Sequence, residues 1–194
     1  TTTLTSGTVT GPTGAPPSLT VDFGAVNPSE GETVTLTFTL PDGSSERIEL
    51  TATTTNPPPA GSFLIGADTT ATAADFQARL TAAVGKLANT ALVAASAMAA
   101  GDDFFNADPP LRVAGPPFDT ATAQVAGTPA DTVSWYTGEK GADPARTTST
   151  AKVDQSITVA YGARANEDAI RKELQVIAVY AAVTAPAADP NSRG

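Results

Sequence analysis

The chain contains no cysteine and no histidine, and those two absences remove a large part of protein chemistry. Without Cys there is no disulfide, no thiolate nucleophile and no cysteine-type zinc site. Without His the commonest general base and the commonest metal ligand are missing, so a Ser–His–Asp triad cannot be assembled. Charge is sparse too: 16% of residues are charged, against roughly 25% in an average domain. Basic residues number 11 and acidic ones 20, a net charge of −9. A polyanion without clustered Lys and Arg is repelled by DNA, RNA and anionic membrane, so neither nucleic acid nor membrane is an expected partner. Large aromatics are few, with seven Phe, three Tyr and one Trp, so any core relies on small side chains. The longest Ala-rich apolar run, Ala91–Ala100, is too short and weak to span a bilayer. No signal peptide is visible, and the start at Thr1 without Met leads us to expect a fragment or processed product. Absence of a targeting segment therefore says nothing about export.

Thr, Gly and Pro fill the gap left by charge, a profile that suits a secreted, turn-rich surface protein better than a cytosolic enzyme. Residues 1–17 read as an irregular lead-in. Leu19–Phe23 alternates apolar and polar, the period of a half-buried strand. The clearest element follows: Val34, Leu36, Phe38 and Leu40 share one face, and threonines at 33, 35, 37 and 39 share the other. A turn at Pro41-Asp42-Gly43 returns the chain with Ile48, Leu50 and Ala52 inward, predicting an antiparallel hairpin with one wet face. After the break at Asn56–Pro59, Ser62–Ile65 adds a short strand. Thr72–Asp75 has capping-box spacing, and Phe76, Leu80, Ala83, Val84 and Leu87 continue at helical period. Such a helix is expected across the hairpin's inner face, weakened near its end by Gly85. Ala91–Phe105 is ambiguous, its Ala content favouring a second helix with a buried strand as the alternative, and residues 108–129 are Pro/Gly-rich and irregular. Thr132–Tyr136, Ser149–Val153 and Ile157–Tyr161 read as strands.

Asn166 is placed to cap a last helix running to about Val183, with Glu167 and Asp168 in its first turn and i,i+4 to Arg171 and Lys172. Ile170, Leu174, Ile177 and Ala181 make one apolar face; Val176, Val179, Tyr180 and Val183 make a second. A helix apolar on two sides must be buried on two sides. One face is expected to pack within the chain and the other to meet additional chain or a neighbouring subunit.

The strings Thr132-Val133-Ser134-Trp135-Tyr136-Thr137-Gly138-Glu139, Val153-Asp154 and Val159-Ala160-Tyr161-Gly162-Ala163-Arg164-Ala165-Asn166-Glu167 resemble the C-terminal part of the variable region in a branch of bacterial flagellins. Hook–filament junction proteins look similar there. Ala95–Phe105 and Pro109–Pro117 also look like these flagellins. The resemblance covers roughly residues 60–183, with its specific words in 95–167. It implies that residues 18–165 are the outer domain, with two subdomains dividing near 106–131, and that 166–185 begin the C-terminal helix of the filament core. Residues 186–194 are expected as a disordered tail. It further implies an extracellular, structural role in motility, export by the flagellar apparatus and its chaperone without a cleaved signal peptide, and other copies of the same protein as partners. The two helical ends that build a filament's inner tubes are missing, so this chain alone is expected to be a monomer. Arg164, Asn166 and Glu167 would hold the junction between outer domain and core, Arg164 and Glu167 by salt bridges. The acidic, Thr-rich surface and the lack of Cys agree with a soluble extracellular polymer.

Other sites weigh less. Asp102, Asp103, Asn106 and Asp108 form the densest oxygen cluster and hence a weak Ca²⁺ candidate, without the Gly and terminal Glu of an EF-hand loop. Glu139 with Asp143, or Asp119 with Asp131, has the composition of a glycosidase pair, but 20 acidic residues produce such pairs by chance. No catalytic residue, cofactor or enzymatic activity is expected. Trp135, Tyr136 and Tyr161 are the residues of an alternative, a secreted adhesion or carbohydrate-binding module; strand alternation would put Trp135 and Tyr136 on opposite faces and make Trp135 a core residue. The fold class expected is α+β: an antiparallel hairpin-rich sheet packed by one or two Ala-rich helices, with a C-terminal helix leaving the domain.

Overall fold

A computed structural model describes residues 2–14, 18–118, 121–147 and 149–183. The expected disordered tail at 186–194 and Asp119 lie outside the described residues. The fold is mixed α+β, with small antiparallel ribbons, one three-stranded sheet and three helices. It forms two compact units that divide between Ala95 and Ser96, upstream of the expected 106–131.

In the first unit the alternating threonines do what their period requires. β3 (Thr33–Thr39) and β4 (Ser45–Thr53) pair in antiparallel register from Thr33↔Thr51 to Thr39↔Ser45. Their turn is closed by Gly43, at φ 83°, and by the Asp42 carboxylate, which accepts from the Ser44 amide and hydroxyl. β5 (Ser62–Leu64) adds to β4 in parallel, after the Pro-rich break. Residues 8–13, expected to be irregular, instead form β1 (Thr8–Thr13), paired antiparallel with β2 (Ser18–Asp22). Thr, Gly and Pro are poor strand signals alone, but here a partner strand takes up the backbone groups.

α1 (Thr69–Asn89) packs on β4 and β5 and presents Phe76 and Leu80 to the core. Its cap differs from the expected Thr72–Asp75 box. Asp68 is the N-cap, accepting from the Ala71 amide at 2.8 Å. Thr72 is fully buried one turn in, accepting from the Gly66 amide at 2.9 Å, with its hydroxyl 2.7 Å from Asn27 Oδ1. Asp75 takes the Leu64 amide at 2.7 Å. Both residues therefore stitch the helix to the sheet. Leu4, Phe23, Val34, Leu50, Ala52, Phe63 and Phe76 make the core. Phe23, Phe63 and Phe76 meet pairwise at centroid distances of 5.1–5.6 Å, two of the three contacts edge-to-face.

α2 (Ala91–Asn106) resolves the ambiguous segment as helix. One 18-residue window within Thr69–Asn106 reaches a mean hydropathy of 1.3, long and apolar enough to cross a membrane by length and composition. That stretch is longer than the Ala91–Ala100 run, though α1 ends at Thr90 (φ −124°, ψ −92°) before α2 begins. The second unit continues with the ribbon β6 (Arg112–Val113) and β7 (Gln124–Val125), a 3-10 turn at Ala145–Thr147 and the hairpin β8 (Thr150–Lys152) and β9 (Thr158–Ala160). It closes with α3 (Asp168–Ala182). Thr132–Tyr136, expected as a strand, forms no ladder. Trp135 is held instead by ring packing on Phe105 and by its indole N–H, which donates to the Phe105 carbonyl at 3.0 Å.

Candidate subunit interface

α3 contains no buried residue. Four positions at a spacing of four, Arg171, Gln175, Val179 and Val183, are half-buried and form the covered stripe. The reason lies on α2. A Cβ built at Gly101 would stand 2.6 Å from Val179 Cγ2 and 3.5 Å from Gln175 Cγ, so the absent side chain admits α3 at close range. The rest of the helix's apolar surface is open: Ile170, Leu174, Val176 and Ile177 are 40–67% exposed and Tyr180 is 85% exposed.

Ile170, Leu174, Val176, Ile177, Val179, Tyr180 and Val183 are the interface residues that the sequence names on the two faces. The covered stripe follows neither face as a whole: Ile170, Leu174, Ile177 and Ala181 of the first are exposed, while Val179 and Val183 of the second are half-covered. Helical period named the apolar residues but not which stripe docks. Gly101 decided that, and a glycine opposite a stripe of spacing four is the signal that could have found it.

The helix start is also rearranged. Glu167, not Asn166, occupies the N-cap position, and its carboxylate accepts from the Arg164 amide at 3.1 Å. It is thus not paired with Arg171. Asp168 holds both cations, Arg171 at 2.9 Å and Lys172 at 2.8 Å. Hydrogen bonding from Lys172, with further contributions from the Lys172 charge and from Arg171, holds its carboxyl below the ordinary aspartate range. Arg164 has a side chain only 10% exposed and donates to the carbonyls of Gly141 (2.8 Å) and Asp143, with Glu139 at the long distance of 3.9 Å. The expected salt bridges at this junction are mainly an arginine-to-carbonyl clamp, because the loop over Arg164 turns its backbone inward.

The carboxylate candidates separate. Asp102 accepts from the Asn106 amide group, Asp103 from the Leu111 backbone at 2.7 Å, and Asp108 pairs with Lys140. Among the described residues no three His, Cys, Asp or Glu gather into a metal-binding group. Asp131 bonds Arg112 and the Thr128 amide, and the Thr128 bond lowers its pKa first. The aromatic residues divide differently from the strand prediction: Trp135 and Tyr136 lie 5.5 Å apart and share one cavity with Phe105, whereas Tyr161 is exposed and does not line it. No protein-family model, curated protein or solved structure matches the chain.

Proposed function

We propose that this chain is the outer, surface-exposed part of a flagellin-type filament subunit, with α3 as the start of the helix leading into the filament core. The observation that carries the reading is the open apolar surface of α3. Ile170, Leu174, Val176, Ile177 and Tyr180 keep 40–85% of their surface in water, and covering what remains is worth on the order of 1 kcal/mol for each side chain. Contact with helices of neighbouring copies would recover it. The Gly-x-Arg-Ala-Asn-Glu string that carries the family resemblance lies immediately before that helix, where Arg164 and Glu167 brace its first turn. On this reading the protein is extracellular and passive, transmitting rotation without catalysis.

The test is immunogold labelling of cells with antibody against residues 18–95. Label along extracellular filaments is expected; label confined to cell bodies or to a single hook-proximal band overturns the filament reading, the latter in favour of a junction protein. A second arm introduces Ile177→Glu with Tyr180→Glu into the parent reading frame. Loss of filaments with unchanged subunit folding is expected, and normal filaments would remove α3 from the interface.

A further inference from the structure

Phe105, Trp135 and Tyr136 surround a cavity of about 310 Å³ in the second unit, at the small end of the roughly 300–1,000 Å³ usual for small-molecule sites. Asn106, Asp108, Lys140, Asn166 and Arg171 are among the polar residues of its walls. The indole N–H is already committed to the Phe105 carbonyl, so Trp135 offers its carbon surface, not its donor, to a ligand. Both cations of the cavity are paired, Lys140 with Asp108 and Arg171 with Asp168. An anionic ligand would have to compete with those carboxylates for charge. Among the described residues that line it, the Asn166 carboxamide and the Tyr136 hydroxyl make no hydrogen bond, and Arg171 Nε is buried without an acceptor. A buried donor left unmade costs about 1–3 kcal/mol, which a ligand oxygen reaching it would recover.

Aromatic carbon faces beside unspent donors and acceptors, with charge internally balanced, match the chemistry of a sugar: an apolar C–H face and hydroxyls that both donate and accept. We propose that this cavity binds a neutral monosaccharide unit, stacked on Trp135 and Tyr136 and hydrogen-bonded by Asn166 and Arg171. Asn166 and Arg171 stand at the start of α3, but sugar binding there does not need filament assembly, and its absence would leave the filament reading untouched.

Trp135 is the chain's one tryptophan, so its emission reports on this cavity alone. The protein is titrated with D-glucose, D-galactose, D-mannose, N-acetyl-D-glucosamine and, as anionic control, N-acetylneuraminic acid. A saturable emission change with at least one neutral sugar is expected, with a Kd on the order of 1 mM. Asn166→Ala should weaken it about tenfold, and Arg171→Lys, which keeps the charge but lacks Nε, by about threefold or more, from loss of one hydrogen bond each. Far-UV dichroism checks that each variant folds, and saturation-transfer NMR on the unaltered protein gives a reading that needs no variant. No saturable response by either method up to about 100 mM of every neutral sugar, tighter binding of the acidic sugar, or unchanged affinity in both folded variants would overturn the proposal.

Discussion

The first unit builds a closed core from very few large residues, while the second builds almost none. Phe23, Phe63 and Phe76 converge where two strands, a hairpin and a helix meet, and Phe63 is wholly buried. In the second unit Phe105 and Ala145 are the buried hydrophobic side chains among the described residues from Ser96 onward. Its ribbons are two or three residues long, and polar ties such as Arg112–Asp131 and Lys140–Asp108 join its loops. Exposed ion pairs contribute little, typically under about 1 kcal/mol. Sustained alternation over a seven- and a nine-residue strand lets a few side chains align in one layer. Short, Pro-punctuated segments cannot accumulate such a layer, and the second unit leaves its apolar helix uncovered.

The sharpest way to break this contrast is Phe63→Ala. Removing a fully buried ring from the aromatic trio should destabilise the first unit by about 3–5 kcal/mol, read by urea unfolding in far-UV dichroism, while Trp135 emission, local to the second unit, changes little below that transition. Coincident collapse of both signals would show the second unit to depend on the first. Thr72→Val comes next. It keeps the shape but strands the Gly66 amide and Asn27 in a buried place, an expected loss of about 1–3 kcal/mol. Asp68→Ala removes the α1 cap and should cost about 1 kcal/mol, visible as faster amide exchange in the first turn.

Acid offers a graded version of the comparison. Glu32, whose pKa is lowered chiefly by the Thr5 hydroxyl, and Asp42, lowered chiefly by Ser44, belong to the first unit; Asp131 and Asp168 belong to the second. A carboxyl with a depressed folded pKa adds stability above its unfolded value, about 4, and that contribution is lost as pH falls through the folded value. Both units should therefore weaken below about pH 4, with the second unit, which buries fewer apolar side chains, unfolding first; Trp135 emission followed alongside dichroism tests the order. Smallest of all, Tyr180→Glu in this chain should shift stability by no more than about 0.5 kcal/mol, because the side chain is already 85% exposed. A loss of several kcal/mol would mean that Tyr180 is packed after all.

The β3–β4 hairpin was legible because a period of two with one apolar face fixes which side of each strand turns inward. The apolar members of α1 and α3 were legible for the same kind of reason. Boundaries carried by capping were not. Thr72 and Asp75 fit a capping box in sequence, yet Asp68 wins because the tertiary partners Gly66, Asn27 and Leu64 claim the other two. Trp135 and Tyr136 look like a strand pair, but without a neighbouring strand their alternation has nothing to act on, and their rings turn to one cavity.

Composition by itself excluded thiol and imidazole chemistry, because a missing functional group cannot be supplied by folding. Periodicity by itself determined which residues are apolar on each element. Which of those faces is covered was decided only in three dimensions. Gly101 admits the Arg171–Gln175–Val179–Val183 stripe of α3 and thereby leaves its most hydrophobic positions outside. Contact depends on what stands opposite, and a linear pattern records only one side of it.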